Sequence, residues 1–344
     1  MTDRIELSQG AGGSATEAFI KKHVLPHLYQ PGSEVPLAAL DDAAVVEGIV
    51  FTTDSHTVQP LVFPGGDIGS LAVAGTINDL AVMGARPLAL SAGMVIEEGL
   101  PLEDFERIVA SMGDLSREAA VPIVTGDTKV VERGGVRELI INTSGIGCVS
   151  PSLEHNRTVV RREGKWLRDD ALRPGDKLLI NGAIADHGIA VLSCREGYGF
   201  ETRVTSDVAP LHTLVQACLE AGGVVAAKDP TRGGVANALH EMASKSNVGM
   251  LIYEEQVPIR EGTMAACEML GINPFAVGNE GKVVLGVVPE KAEEVLQALR
   301  RHPLGREAAI IGEVTEGTRV LMETSVGGRR IVEAPVGDPI PRIC

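Results

Sequence analysis

This chain should fold into two α+β domains in series, with a short extended tail behind them. Its 344 residues exceed what one ordinary core absorbs. Strand-length apolar runs and helical spacings alternate irregularly along it, without the regular βαβ repeat of a doubly wound sheet. Glycine is abundant, at 40 residues, and falls in clusters between apolar runs, as in enzymes with tight turns and backbone-lined sites. The stretch 150–175, carrying Arg161-Arg162-Glu163 and Arg168-Asp169-Asp170, reads as a solvated connection between domains. The expected units are therefore 1–150, 151–334 and a tail, 335–344.

Element by element, the glycine-rich start Gly10-Ala11-Gly12-Gly13-Ser14 leads into a helix through about His27. Residues 43–46 and 49–53 read as short strands beside acidic residues. Helical spacing over 68–83 stops near Gly84, with a proline three residues later. A strand follows over 88–96. Pro101 then opens an amphipathic helix whose Leu102, Phe105, Ile108, Met112, Leu115 and Ala119 recur every three or four residues. Strands at 122–125 and 139–149 close the first half. The second half opens with a strand at 177–180, and helices start at Gly188, Leu211, Gly233 and Glu261. The strand 282–288 meets a helix that has Pro289 at its start and Arg300-Arg301 at its end, as the helix dipole prefers. Strands near 309–314, 318–322 and 329–332 complete the domain. The tail carries three prolines and a glycine in its ten residues, so it can neither continue a helix nor join a central strand.

Composition narrows the function. Apolar residues make up 44% and charged residues 22%, a globular balance; aromatics are 3%, so the core must rest on Ala, Val, Leu and Ile. A net charge of −15 disfavours nonspecific binding to nucleic acid or anionic membranes, yet allows a phosphate ligand where glycine amides, a lysine or a divalent metal meet it. The polar start Met1-Thr2-Asp3-Arg4-Ile5-Glu6 predicts no signal peptide, and no run approaches the ~20 apolar residues of a membrane span. Five widely spaced cysteines without a CxxC predict neither a disulfide framework nor a structural zinc site. Cys148, Cys194, Cys218 and Cys267 read as small core residues, and the protein as cytoplasmic. Cys344 stands apart, as the last residue of the proline-rich tail. Ten extended residues reach up to ~35 Å, so this thiol suits a mobile arm that visits two sites, although a frayed terminus accounts for it equally.

Acidic residues gather at the ends of apolar segments: Asp41-Asp42, Asp54, Asn78-Asp79 and Gly126-Asp127-Thr128-Lys129. Hard oxygen ligands of this kind are what magnesium takes, leaving positions for water and substrate phosphates. Singly, each aspartate also fits an Asp turn, but Asp79, inside an apolar helix, needs a partner. Lys129 can serve a transferring phosphoryl group as a point charge. In the second half Asp229-Pro230-Thr231-Arg232-Gly233-Gly234 precedes a helix, where free amides can bind an anion or simply be capped. Asn279-Glu280-Gly281-Lys282 reads as a polar turn, with Glu280 a general base if desolvated. Asp186-His187-Gly188 reads as an ordinary N-cap. Neither GxGxxG nor GxxxxGK[ST] occurs, so Rossmann and P-loop sites are not indicated.

In order along the chain stand Asp-Asp-Ala-Ala-Val, Thr-Thr-Asp, Asn-Asp-Leu-Ala-Val-Met-Gly-Ala, Gly-Asp-Thr-Lys-Val-Val, Asp-Pro-Thr-Arg-Gly-Gly, Asn-Glu-Gly-Lys and a closing Pro-Arg-Ile-Cys. With these the chain resembles the HypE family of hydrogenase maturation proteins, in the superfamily of aminoimidazole ribonucleotide synthetase and selenophosphate synthetase. The resemblance implies an N-terminal α+β domain whose strands pair across a homodimer into a barrel, a C-terminal α+β domain and a flexible tail. It also implies a carbamoyl dehydratase. HypF would load a carbamoyl group on Cys344, ATP would drive its dehydration to a thiocyanate, and the cyanide would pass to iron on a HypC–HypD complex, for the nickel–iron hydrogenases. By the same resemblance Asp42, Asp54, Asp79, Asp127 and Asp229 would hold magnesium and ATP. Gly10, Gly12, Gly13, Gly126, Thr231, Arg232 and Gly233 would help to hold the nucleotide, while Lys129 and Glu280 would serve as charge stabiliser and base. Many relatives carry His-Gly-Ser-Gly-Gly at the start where this chain has Gln9-Gly10-Ala11-Gly12-Gly13, so no catalytic role is assigned to those two positions. Another ATP-dependent synthetase with a diffusible substrate, and a nucleotide-binding scaffold, are the competing readings.

Overall fold

The structure, a computed structural model, describes residues 4–29, 32–197 and 204–335. An N-terminal arm holds α1 (Gly13–His23). The first half continues with β1 (Ala44–Val46), β2 (Ile49–His56), β3 (Val62–Phe63), β4 (Gly66–Asp67), α2 (Ile68–Val82), β5 (Arg86–Glu97), α3 (Leu102–Glu118), β6 (Ile123–Val131) and β7 (Leu139–Cys148). Five of these strands form an open sheet in the order β1-β2-β7-β5-β6, antiparallel except where β5 meets β6. Burial alternates along β2, so one sheet face packs on α2 and the other stays open. Ile49, Phe51, Leu88, Val124, Val130 and Ile146 are exposed apolar side chains of its strands. A capping box starts α2: Ser70 N–H donates to Asp67 Oδ1 at 2.8 Å, and Asp67 N–H to Ser70 Oγ at 2.9 Å.

The second half holds α4 (Pro151–Val160), β8 (Lys177–Ile180), α5 (Asp186–Glu196), α6 (His212–Ala221), β9 (Val224–Lys228), α7 (Gly234–Ser246), β10 (Gly249–Tyr253) and α8 (Glu261–Leu270). β11 (Val284–Val287), α9 (Ala292–Arg301), β12 (Ala309–Thr315), β13 (Val320–Glu323) and β14 (Arg329–Ile331) follow. Its seven-stranded sheet runs β14-β13-β10-β12-β8-β11-β9, with β10 and β13 its one parallel pair. The strands β8 and β11, and β9 at the end of the sheet, are buried on both faces, which their Val-, Leu-, Ile- and Ala-rich sequences allow. One apolar cluster takes in Leu71 and Ile77 of α2 together with Ile180 and Val235, so the halves share core. Among the described residues no helix is long and apolar enough to cross a membrane.

Several expectations change. The strands β9 and β10 were hidden in apolar runs that carry no alternation. β2 and β6 run on past the ends expected of them, which puts Asp54 and the Gly126–Lys129 segment inside strands. The stretch 150–175 is a solvated face only in part, with Arg161, Glu163 and Lys165 exposed. It contains α4, and its Arg162 forms two bonds to the buried Asp176 (2.7 and 2.6 Å) while Lys245 holds the buried Asp169 at 2.6 Å. Pairing with cations from elsewhere is what makes these charges tolerable inside. Cys218 and Cys267 are core residues, but Cys194 is exposed and Cys148 half-buried. Cys344 lies outside the described residues.

Candidate active site

Three carboxylates converge where the two halves meet. Asp42 comes from the loop before β1, Asp79 from α2 and Asp229 from the end of β9; one ligand atom of each lies within 4.8 Å of the others. Asp79 finds the partner its place in an apolar helix demands: Thr52 Oγ1 of β2 donates to its Oδ2 at 2.7 Å. Asp54 of the same strand completes the wall of a cavity of about 360 Å³, which also includes His56, Thr231, Arg232 and Glu280. Arg232 stands 3.8 Å from Asp54.

Glu280 is 4% exposed, and the supposed polar turn around it is buried throughout. Its backbone N–H donates to Asp207 Oδ1 at 3.0 Å, and Asp207 pairs with Lys282 at 2.8 Å. Asn78, the neighbour of Asp79, reaches across the halves: its amide donates to the Glu280 carbonyl at 3.1 Å and its Oδ1 accepts from Leu211 N–H at 2.7 Å. Adjacent residues of α2 thus line the cavity and lock the second half against it. Asp186, expected as an N-cap, instead accepts from Thr263 at 2.5 Å and Arg260 at 2.7 Å, tying α5 to α8.

Burial raises Asp42, Asp79, Asp229 and Glu280. It lifts Asp79 and Glu280 well above the usual carboxylate range, with Asp229 the next cause for each. Asp229 is pushed up to about 7 by burial and then by Asp42. Asp42 is raised by burial against the opposing pull of Lys228. Lys228, 8% exposed, meets Asp42 at 2.8 Å, Glu241 at 3.1 Å and Asp169 at 3.5 Å; burial would lower it, but those carboxylates hold it well above its ordinary value. Asp42 Oδ2 is left buried without a hydrogen bond among the described residues. Clustered hard oxygens, an orphaned carboxylate oxygen and acids made costly to ionise together fit a divalent cation such as magnesium.

A second cavity, about 200 Å³, opens beside the first between α1 and α7 and shares Asp42, Asp229, Thr231 and Arg232 with it. Gly12 and Gly13 line it, and Arg232 donates to the Gly10 carbonyl at 3.4 Å. Gly233, at φ +75°, caps α7 and turns that helix's N-terminus toward the cleft. Asp127 and Lys129 are not part of this assembly. They lie exposed on the edge strand β6, and β7 and β5 stand between them and β2, about 14 Å away across the sheet. Gly126 brings its backbone close to β5 rather than to a phosphate: a Cβ there would overlap the Ala92 carbonyl oxygen. In the sequence Asn78 stands out only as the neighbour of Asp79, and Thr52, His56, Lys228 and Glu241 carry no assigned role. Only Lys228, directly before Asp229, carried a local cue.

Residues 40–149 match the AIR synthase related protein N-terminal domain, and 173–323 the C-terminal domain of the same family. The chain is 50% identical to the carbamoyl dehydratase HypE of Rhizobium leguminosarum bv. viciae, over 99% of this chain and 95% of that one. A solved HypE–HypF complex superposes with a TM-score of 0.84 at 44% identity, covering 94% of this chain and 100% of its counterpart. A hydrogenase maturation protein HypE solved with ATP gives 0.80 at 41% identity, covering 99% and 100%.

Proposed function

This chain belongs to the HypE carbamoyl dehydratases of the AIR synthase related family, and from that premise we propose that it uses ATP to dehydrate an S-carboxamide on its own Cys344 to a thiocyanate. HypF delivers the carbamoyl group, and the cyanide passes to iron on a HypC–HypD complex. The division into 1–150, 151–334 and a tail of 335–344 belongs to the same reading and is supported by where the two family domains fall.

The observation that carries it is one cleft holding three clustered carboxylates and a buried glutamic acid, with the root of the C-terminal segment on its rim. Pro335 packs on Gly233, and nine further residues to Cys344 span up to ~30 Å. Oxide is a poor leaving group, so the amide oxygen must first take the γ-phosphoryl group of ATP. Glu280 accepts one N–H proton as the oxygen–phosphorus bond forms and ADP departs. After that proton passes to solvent, the second N–H proton leaves with the C–O bond, giving C≡N and phosphate. The sum is S-carboxamide plus ATP to thiocyanate, ADP, phosphate and a proton. Asp42, Asp79 and Asp229 would hold magnesium, which supplies positive charge to the phosphate oxygens. Thr231, Arg232 and Gly233 present a helix N-terminus and a guanidinium to them, with Gly10, Gly12 and Gly13 alongside.

The exposed apolar sheet face supports a homodimer that closes the open sheet into a barrel. Asp127 and Lys129 enter the reaction only through that second copy. ATP turnover in the presence of HypF and carbamoyl phosphate tests the whole reading: Cys344→Ala should abolish the part that depends on this chain. Turnover that survives the substitution would point to a diffusible substrate.

A further inference from the structure

We propose that His240 is a positioning residue for this reaction, pinning the root of the C-terminal segment on the cleft rim and so setting the effective concentration of Cys344 there. The proposal rests on Cys344 being the carrier of the substrate group. His240 lies on α7, and its ring N–H donates to the Val332 carbonyl at 2.7 Å. Val332 is buried, and its own N–H donates to Val320 O at 3.0 Å. Three residues later the chain has passed from the middle of α7 to its N-terminal end. A Cβ at Gly233 would stand 3.3 Å from Pro335 Cγ, and one at Gly13 would stand 3.8 Å from the Pro335 carbonyl oxygen.

The geometry closes on itself. From His240 back to Gly233 is seven residues of helix, about 10.5 Å of axis. Three extended residues, from Val332 to Pro335, span about 10–11 Å. With Val332 bonded at the middle of α7 and Pro335 at its start, the segment runs antiparallel to the helix, toward the N-terminus that lines the cleft. Gly233 and Gly13, which have no side chains, form the seat in which Pro335 ends that run. Without the His240 bond Val332 keeps only its N–H bond to Val320, and the run from its carbonyl to Pro335 is held at the rim by the glycine seat alone. Intramolecular encounter depends on where a tether starts as well as on its length. One net hydrogen bond corresponds to roughly a fivefold change in the pinned population. Replacing Pro335 by glycine frees the root further, for a combined loss of about tenfold.

The test uses full-length protein with Cys344 carbamoylated by HypF, followed through single-turnover loss of water by quenched mass spectrometry after adding MgATP. His240→Ala should slow this step about fivefold and His240→Ala with Pro335→Gly about tenfold. His240→Gln, whose amide can still donate to Val332, should restore it. In parallel, Cys344→Ser versions of each protein receive a synthetic peptide of residues 336–344 bearing the S-carboxamide. Its dehydration in trans and the affinity for MgATP should be the same in wild type, His240→Ala and His240→Gln, because His240 lines neither cavity. An unchanged cis rate in His240→Ala overturns the proposal, as does a matching fall in MgATP affinity. Should the wild-type adduct form and never lose water, it is the reading of Cys344 that fails instead.

Discussion

Glu280 and Asp229 sit in the same cleft, yet burial asks different things of them. Glu280 must be ionised to take a proton, and its surroundings oppose that. Replacing it by glutamine should lower single-turnover dehydration by about 10²–10⁴ while leaving HypF-dependent carbamoylation of Cys344 intact; the two stages are separable by mass. Asp229 bears on stability. Its pKa rises from 3.8 to about 7 on folding, so between those values the unfolded chain releases a proton that the folded chain keeps. Stability of the nucleotide-free protein is thereby lost as pH climbs through that window and levels off above it. In thermal melts from pH 5 to 8, Asp229→Asn should flatten the decline relative to wild type, and magnesium should flatten it in wild type. A steeper decline in the variant would contradict the assignment. Individual residues were the most legible part of the sequence. Asp79 announced itself as a carboxylate in an apolar helix, and Glu280 as the member of a polar quartet that desolvation would activate.

Elements were legible where they carry a period. The helix α3 shows its buried stripe at Ile108, Met112 and Ser116, and β2 alternates. The strands β9 and β10 do not alternate, because both their faces are covered, and periodicity cannot tell such strands from buried helix. The strand β6 misled for another reason. Gly126-Asp127-Thr128 has turn composition, but the glycine serves close pairing with β5, and an exposed edge strand tolerates the polar residues that follow. That edge carries a prediction. Val124 and Val130 of β6 are 64% and 65% exposed, so Val130→Asp should change the melting of an isolated chain very little. In the homodimer reading it places a charge in an apolar interface. Light scattering on eluted protein should then give the mass of one chain for the variant and of two for the wild type. A dimer that withstands the substitution would place the interface elsewhere.

At the scale of the whole molecule, the site exists only because both halves build it. Asp42 and Asp79 come from the first half, Asp229 and Glu280 from the second, and Asn78 bonds the two across the seam. No local pattern reports a pairing between residues far apart in the chain, which is why Lys228 with Asp42, Asp207 with Lys282 and Lys245 with Asp169 stayed invisible. The order of motifs fared better, because a resemblance spanning the full chain carries tertiary arrangement that spacing does not. Such an assembly makes sense if the group to be dehydrated is delivered by the chain itself, from a root already seated on the rim of the cleft. An intact mass spectrum of the protein after incubation with HypF, carbamoyl phosphate and MgATP tests this most directly. The account predicts a carbamoyl adduct confined to Cys344 that then loses the mass of one water, with one ATP consumed in that step. An adduct that persists unchanged in the presence of ATP would contradict it.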